Sequence, residues 1–200
     1  MRRVAVIVLL SITAALAADK DKPRFAPGPA ASFPSHQTLD KIAIAAAPYV
    51  TDAETATAFG KLNPNKYGVL PVLVILENET GKALRLGLKA EFVTADGKHV
   101  SAIPPDDVQR LGQATRAPKI GGSSPLPLPL PTRVKKGPLN VWEIEGRAFT
   151  AKMLPVGERA FGFFYFNADL EPGSRIYLTG VQDAATGQDY FYYELPLQTQ

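Results

Sequence analysis

Two histidines, His36 and His99, and no cysteine are all this chain offers for soft-metal or thiol chemistry. A zinc site takes Cys or His ligands at short, repeated spacings, and neither histidine has such a neighbour, so no metal site is expected. Asp183 and Asp189 flank one loop and carry the hard oxygens that calcium takes. They lack the dense Asp/Asn/Gly pattern of a calcium loop and read as turn residues. Ser123-Ser124 follows Gly121-Gly122 and precedes a proline run, which is not the G-x-S-x-G elbow that presents a nucleophile. Gly121-Gly122 has no Lys-Ser/Thr after it and so builds no phosphate cradle. Carboxylates remain: Asp106, Asp107 and Glu194 are the acids a glycan hydrolase would use, because that chemistry needs two carboxyl groups at a set separation. Asp106-Asp107, however, follow Pro104-Pro105 and precede Val108 and Leu111, the pattern of a helix start with acids at the positive end of its dipole. No catalytic set and no cofactor motif results, and the expected reading is not an enzyme.

Recognition chemistry is better supplied. Aromatic residues crowd the C-terminal part of the chain, with Phe161, Phe163, Phe164, Tyr165 and Phe166 in one run and Tyr190, Phe191, Tyr192 and Tyr193 in another. Neighbours on a strand face opposite sides, so Phe163 and Phe164 cannot share a face, nor can Tyr192 and Tyr193. Either a central strand is covered on both sides, with the Leu/Pro segment as a roof, or some rings point outward. Outward Tyr190, Tyr192 and Tyr193 would stack on sugar rings or meet a partner protein. The other candidate surface is basic. No acid occurs between Asp107 and Glu143, while Arg110, Arg116, Lys119, Arg133, Lys135 and Lys136 accumulate. Arg133, Lys135 and Lys136 are the candidates for contact with an acidic partner or an anionic envelope polymer. Proline and leucine alternate from Pro125 to Pro131, which favours polyproline II, but a spacing of two spells no P-x-x-P ligand.

The elements that must hold these residues are short and mostly β. A first strand is expected near Leu39, with Ile42 and Ile44 alternating with Lys41 and Ala43 until Pro48. Thr51-Asp52-Ala53-Glu54 is a capping box and Gly60 a C-terminal cap, which together predict one helix of about two turns. From Val69 to Leu76 every residue but Pro71 is aliphatic, as in a strand buried on both faces with Pro71 near its start or on an edge. Leu84, Leu86, Leu88, Ala90 and Phe92 then alternate with Arg85, Gly87, Lys89 and Glu91, giving one dry face and one wet. Asp96-Gly97 signals a hairpin whose return carries Val100 and Ile103. Further strands are expected over Val141 to Ile144, Ala148 to Leu154, Phe161 to Phe166, Ile176 to Val181 and Tyr190 to Leu197, with Ala184-Ala185-Thr186-Gly187 as the last hairpin loop.

The N-terminus addresses the compartment. Arg2-Arg3, the apolar run from Val4 to Leu10 and the closing Ala15-Leu16-Ala17 are the basic, apolar and small-residue regions of a signal peptide cut after Ala17. Val4 to Ile12 falls well short of the ~20 apolar residues that span a bilayer, and no later stretch is longer, so no transmembrane anchor is expected. Loss of Arg2 and Arg3 lowers the formal net charge of +3, and with it the main support for a nucleic-acid partner. Without cysteine there is no disulfide framework and no lipid anchor on an N-terminal Cys, and a chain of this length holds by packing alone. The location expected from these features is a bacterial periplasm or the cell exterior. The organisation is then a signal peptide over 1–17, a Pro/Ala-rich extended or disordered arm over 18–38, and a single β-sandwich domain over 39–198, in which 113–138 form a basic Pro/Gly-rich loop.

The stretch Leu70 to Asn78, followed by Leu84 to Phe92 and Ala95-Asp96-Gly97, resembles the first half of immunoglobulin-like domains in secreted bacterial proteins. Gly162-Phe163-Phe164-Tyr165-Phe166 with Tyr190 to Leu197 is similar to the last strands of such domains. The resemblance implies a fold and an envelope setting and supplies no catalytic residues. The fold class expected is mainly β, an antiparallel immunoglobulin-like β-sandwich with one or two short helices and a long Pro-rich basic loop. The function expected is a non-enzymatic, exported module that binds an envelope protein or polysaccharide or plays a structural part there. A carbohydrate-binding domain using the C-terminal aromatics and a glycan hydrolase are the alternatives.

Overall fold

The run from Leu70 to Leu76 has no polar side to turn toward water. In the computed structural model, which describes residues 25–111, 137–139, 141–190 and 192–198, it becomes the doubly buried centre of the molecule. Among the described residues the chain is mainly β. Its strands are β1 (His36–Leu39), β2 (Ile42–Pro48), β3 (Leu70–Asn78), β4 (Leu84–Val93), β5 (His99–Ser101), β6 (Met153–Leu154), β7 (Arg159–Phe166), β8 (Arg175–Asp183) and β9 (Tyr193–Pro196). Three short helices accompany them: α1 (Asp52–Phe59), α2 (Pro105–Leu111) and α3 (Trp142–Gly146). One antiparallel sheet has the order β1-β2-β3-β7, and the second has β5-β4-β8-β9 with β6 also paired to β4. Neither sheet contains a parallel strand pair.

Alternation along the strands sorts side chains into two cores. Val72, Val74 and Leu76 of β3, with Ile42 and Ile44 of β2, share one cluster with Leu84, Leu86 and Phe92 of β4, Ile176 and Leu178 of β8, and Tyr193 and Leu195 of β9. The intervening residues of the first sheet, among them Ala45, Ala47, Leu73, Ile75, Phe163 and Tyr165, form a second cluster with Ala58 and Phe59 of α1, Val108 of α2 and Ile144 of α3. The first sheet is therefore a middle layer, between the second sheet and the helices. Small residues on the helical face of β2 leave room there for Tyr49 and Phe59, whose rings meet Phe163 at 5.0 and 4.8 Å. On β4 the expected alternation holds, with Leu84, Leu86, Ala90 and Phe92 buried and Arg85, Gly87 and Lys89 exposed.

The α1 cap forms as its sequence requires. Thr51 Oγ1 accepts from the Glu54 amide at 3.1 Å, and Glu54 Oε2 accepts from the Thr51 amide at 2.8 Å. Gly60 closes the helix with φ +66°. Pro71, second in β3, is tolerated because it lies just beyond the last β2 pair, Pro48 with Val72, and the Tyr49 carbonyl on that side accepts from Asn65 Nδ2 at 2.9 Å instead of from a strand amide.

Several expectations are corrected. The arm foreseen over 18–38 is folded from Phe25 onward: Ala30 and Phe33 are buried, and His36 belongs to β1. Asp40 and Lys41, with φ of +50° and +62°, make the tight turn between β1 and β2, so Lys41 is not a strand residue. Val141 to Ile144 is not a strand. Its alternation is too short to separate the two periods, and acids at Glu143 and Glu145 with Ile144 as the buried anchor favour the helical turn α3. Ile103 does not continue the return strand; its amide donates to the Tyr165 carbonyl at 2.7 Å, so the chain changes sheets there. Ala148 to Leu154 changes sheets likewise, bridging Phe163 at Ala148 and pairing with β4 only at β6. These two switches cover the free edge of β7, and Gly162 permits one of them: a Cβ there would lie 2.4 Å from the Phe149 Cα. The strand expected from Tyr190 begins at Tyr193. The basic loop lies outside the described residues except for Gly137 and Pro138.

Candidate functional site

The helical layer does not close over the first sheet completely. Among the described residues a groove of about 1240 Å³ runs between the C-terminal end of α1 and the short α3, lined also by Phe25, Phe161 and Tyr67. Its walls follow from the local sequence. Gly60 stops α1 and leaves Lys61 and Leu62 along one side, while Trp142, Glu143, Gly146 and Arg147 form the other. Trp142 is the most exposed large apolar side chain in the described part of the molecule, at 64 %. It is nonetheless seated, because its indole lies across Gly146, where a Cβ would come within 2.1 Å of the ring.

Arg147 fixes this arrangement. Its guanidinium carbon stands 5.4 Å from the Phe25 ring centroid and 5.6 Å from that of Trp142, so the cation lies against two rings at once. Its Nε donates to the Ala58 carbonyl at 3.2 Å, one of the carbonyls the end of α1 leaves free. Beneath, Phe25 continues into a ring cluster with Tyr49, Phe161 and Phe163 at centroid distances of 6.0, 6.2 and 5.5 Å. The groove thus offers flat apolar faces, small residues at Ala56, Ala58 and Ala148, and a cation already engaged by its neighbours. Two tyrosines under the helical layer are weak acids for the same physical reason. Desolvation, helped by the Glu54 charge, pushes the Tyr49 phenol to about 12, and burial raises that of Tyr165 further.

The tyrosines expected at a partner surface separate. Tyr192 is exposed at 55 %. Tyr190 is half-buried and lines a small polar recess of about 110 Å³ with Asp40, Lys82, Asp183, Gln188 and Asp189. Tyr193 is a correction: it is fully buried in the core between the sheets and presents no face to a partner. Its hydroxyl has no hydrogen-bond partner, and burial, then the Asp40 carboxylate, raises its pKa to about 12. Arg133, Lys135 and Lys136 lie outside the described residues.

The acids are also dispersed. Asp106 and Asp107 occupy the first turn of α2, where Asp107 pairs with Arg110 at 3.4 Å. Glu194 lies on the second sheet and pairs with Arg175 at 3.0 Å. These acids belong to different layers and are not brought together. Asp183 is a turn acid: Oδ1 accepts from the Ala185 and Thr186 amides at 2.8 and 3.0 Å, and Oδ2 from Lys82 Nζ at 2.9 Å. The Lys82 ammonium and the turn amides hold its carboxyl down at about 2. Among the described residues no group of three or more His, Cys, Asp or Glu is gathered to hold a metal ion.

Sequence reasoning passed over Trp142 and Arg147. A signal was present, since Trp142 is the single tryptophan of the chain and a lone large aromatic between Val141 and Glu143 has no strand partner implied by its neighbours. Reading the segment as a strand hid it. Compared with known proteins, the chain matches no family model and no curated protein.

Proposed function

We propose that the protein is an exported, non-enzymatic binding module of immunoglobulin-like build, which grips an extended segment of an envelope macromolecule in the groove between α1 and α3. The observation that carries this reading is the exposed Trp142, seated on Gly146 and held by Arg147 beside Phe25 at the wall of a groove of about 1240 Å³. A large, seated and solvent-facing tryptophan beside an arginine has the composition of a binding hot spot. The lining supplies stacking faces and donors, the chemistry of gripping. The export part of the reading rests on Arg2-Arg3, the apolar run after them and Ala15-Leu16-Ala17. The immunoglobulin-like part rests on two antiparallel sheets that share one core.

The single tryptophan makes the groove its own reporter. Titrating the chain lacking its signal peptide with fractionated envelope proteins should shift Trp142 emission to the blue and protect it from acrylamide, saturably. Arg147→Ala should weaken that binding about tenfold while circular dichroism stays unchanged. If every fraction leaves emission and quenching as in buffer, the groove is not a binding site and the proposal fails.

A further inference from the structure

Two turns far apart in the sequence meet at one end of the core between the sheets. Asp40 and Lys41 turn β1 into β2 with φ of +50° and +62°, and Ile42, which follows them, shares that core with Tyr193. From the second sheet, β8 ends at Asp183, and the loop after it returns through Gln188 and Asp189 to Tyr190, whose amide donates to the Val181 carbonyl at 2.8 Å. Between these turns lies the polar recess of about 110 Å³, lined by Asp40, Lys82, Asp183, Gln188, Asp189 and Tyr190. None of these residues lines the groove between α1 and α3. The recess holds more acceptors than the protein itself uses. Three carboxylates and one ammonium line it, and Lys82 with two turn amides already occupies both oxygens of Asp183. Asp189 accepts from Gln182 Nε2 at 2.8 Å through Oδ1 and keeps Oδ2, while the Asp40 carboxylate has neither a hydrogen bond nor an ion pair among the described residues. Tyr193 adds an oxygen from inside. It is fully buried, its hydroxyl finds no hydrogen-bond partner, and after burial the groups that raise its pKa are Asp40 and Tyr190, both of the recess lining. An unpaired buried hydroxyl is a cost in free energy that a donor brought by a ligand relieves.

We infer that the recess is a binding site for an alkylammonium group, the chemistry shared by free polyamines and by a lysine side chain of a partner protein. An ammonium carries N–H donors and no acceptor, and Asp40, Asp189 Oδ2 and the Tyr193 hydroxyl offer it acceptors together with the opposite charge. Lys82 already makes one such contact here, with Asp183 Oδ2 at 2.9 Å. An anion would be repelled by Asp40 and Asp189, which no cation pairs among the described residues. A divalent cation takes many oxygens at close range, and the described acids are not gathered in a group of three, while the Lys82 ammonium stands in the way. The volume exceeds what one water needs and admits an ammonium head with a short methylene stem. Tyr190, which packs on the core, gives that stem an apolar wall.

The probes are putrescine, spermidine and Nα-acetyl-lysine methylamide, with 1,4-butanediol as the uncharged match of putrescine, measured by titration calorimetry at low ionic strength on the chain lacking its signal peptide. At least one amine should bind saturably, and the diol should bind at least about tenfold more weakly than putrescine. Asp40→Asn should weaken the amine about tenfold and keep the turn, since Asn adopts positive φ as readily as Asp. Tyr193→Phe, which removes only the unpaired hydroxyl, should weaken it about fivefold with the melting temperature equal or raised. Preference for putrescine or spermidine assigns the recess to free polyamines, and preference for the lysine derivative assigns it to a partner's side chain. Trp142 emission should not move on amine addition. The inference is overturned if no amine binds, if the diol binds as tightly, if either variant binds as tightly as the parent, if calcium chloride displaces the amine at matched ionic strength, or if the amine shifts Trp142 emission. The last result would place the amine in the groove, whereas failure of the groove with envelope proteins would leave this site standing.

Discussion

Phe163 and Phe164 on β7, and Tyr192 and Tyr193 at β9, are neighbouring aromatic pairs that a strand must divide between its two faces. On β7 both faces are covered. Phe163 packs under α1 against Phe59 and Tyr49, and Phe164 turns the other way to stack on Phe149 at 5.6 Å and 13°. On β9 only one face is covered: Tyr193 is buried between the sheets and Tyr192 stands in solvent against Tyr177. The same local pattern therefore produces two layers of core in one sheet and a core plus an open platform in the other. The cause is the position of the helices, which among the described residues lie over the first sheet alone.

Removing a ring from each side tests that difference most severely. Phe163→Ala should cost about 3–5 kcal/mol of unfolding free energy in urea, the usual loss for a large aromatic in a closed core. A cost under about 1 kcal/mol would mean that the helical layer is not packed on β7. Hydroxyls give a finer test. Tyr165 donates to the Ile144 carbonyl at 2.7 Å, and Tyr165→Phe should cost about 1–3 kcal/mol by leaving that carbonyl unpaired. Tyr193→Phe, which removes a hydroxyl that has no partner, should leave stability equal or raise it. Equal losses in the two variants would erase the contrast between the cores.

A charged contact also ties the end of the second sheet to the loop after β3. Asp183 at the end of β8 has its carboxyl lowered from 3.8 to about 2, so its contribution is complete above the ordinary value and is lost as the pH falls from there through about 2. Unfolding followed from pH 5 to pH 2 should show that loss, and Asp183→Asn should flatten it. An unaltered slope would reassign the acid sensitivity to other carboxylates. The smallest effect belongs to Tyr192→Ala, which should change stability by no more than about 0.5 kcal/mol, since nothing in either core depends on it.

Much of the scaffold could be read along the chain because it depends on local rules. The aliphatic run of β3, the alternation of β4, the capping box of α1 and the Asp96-Gly97 hairpin each involve neighbours within a few residues, and each forms as read. The binding surfaces were only partly legible. Tyr192 was among the candidates, but its ring partner Tyr177 comes from β8 and the His99 that meets Tyr177 from β5, and sequence distance gives no hint of either contact. Trp142 was hidden inside a five-residue segment whose apolar pattern fits a strand and a helical turn equally well.

What the amino-acid order determined by itself was the strands β3, β4, β7 and β8, the dry and wet sides of β4, the cap of α1 and the Asp96-Gly97 turn, because each is decided by side-chain period and backbone preference over a few residues. What only the tertiary structure decided was which wet or dry face meets another layer. The helices chose the first sheet, the switches at Ile103 and Ala148 closed its edge, and Arg147 joined α1 to Trp142. Those outcomes depend on contacts between residues far apart in the chain, whose free energies are summed only when all the layers are in place. That is why the same pair of adjacent aromatic residues ends as core on β7 and as half core, half surface at β9.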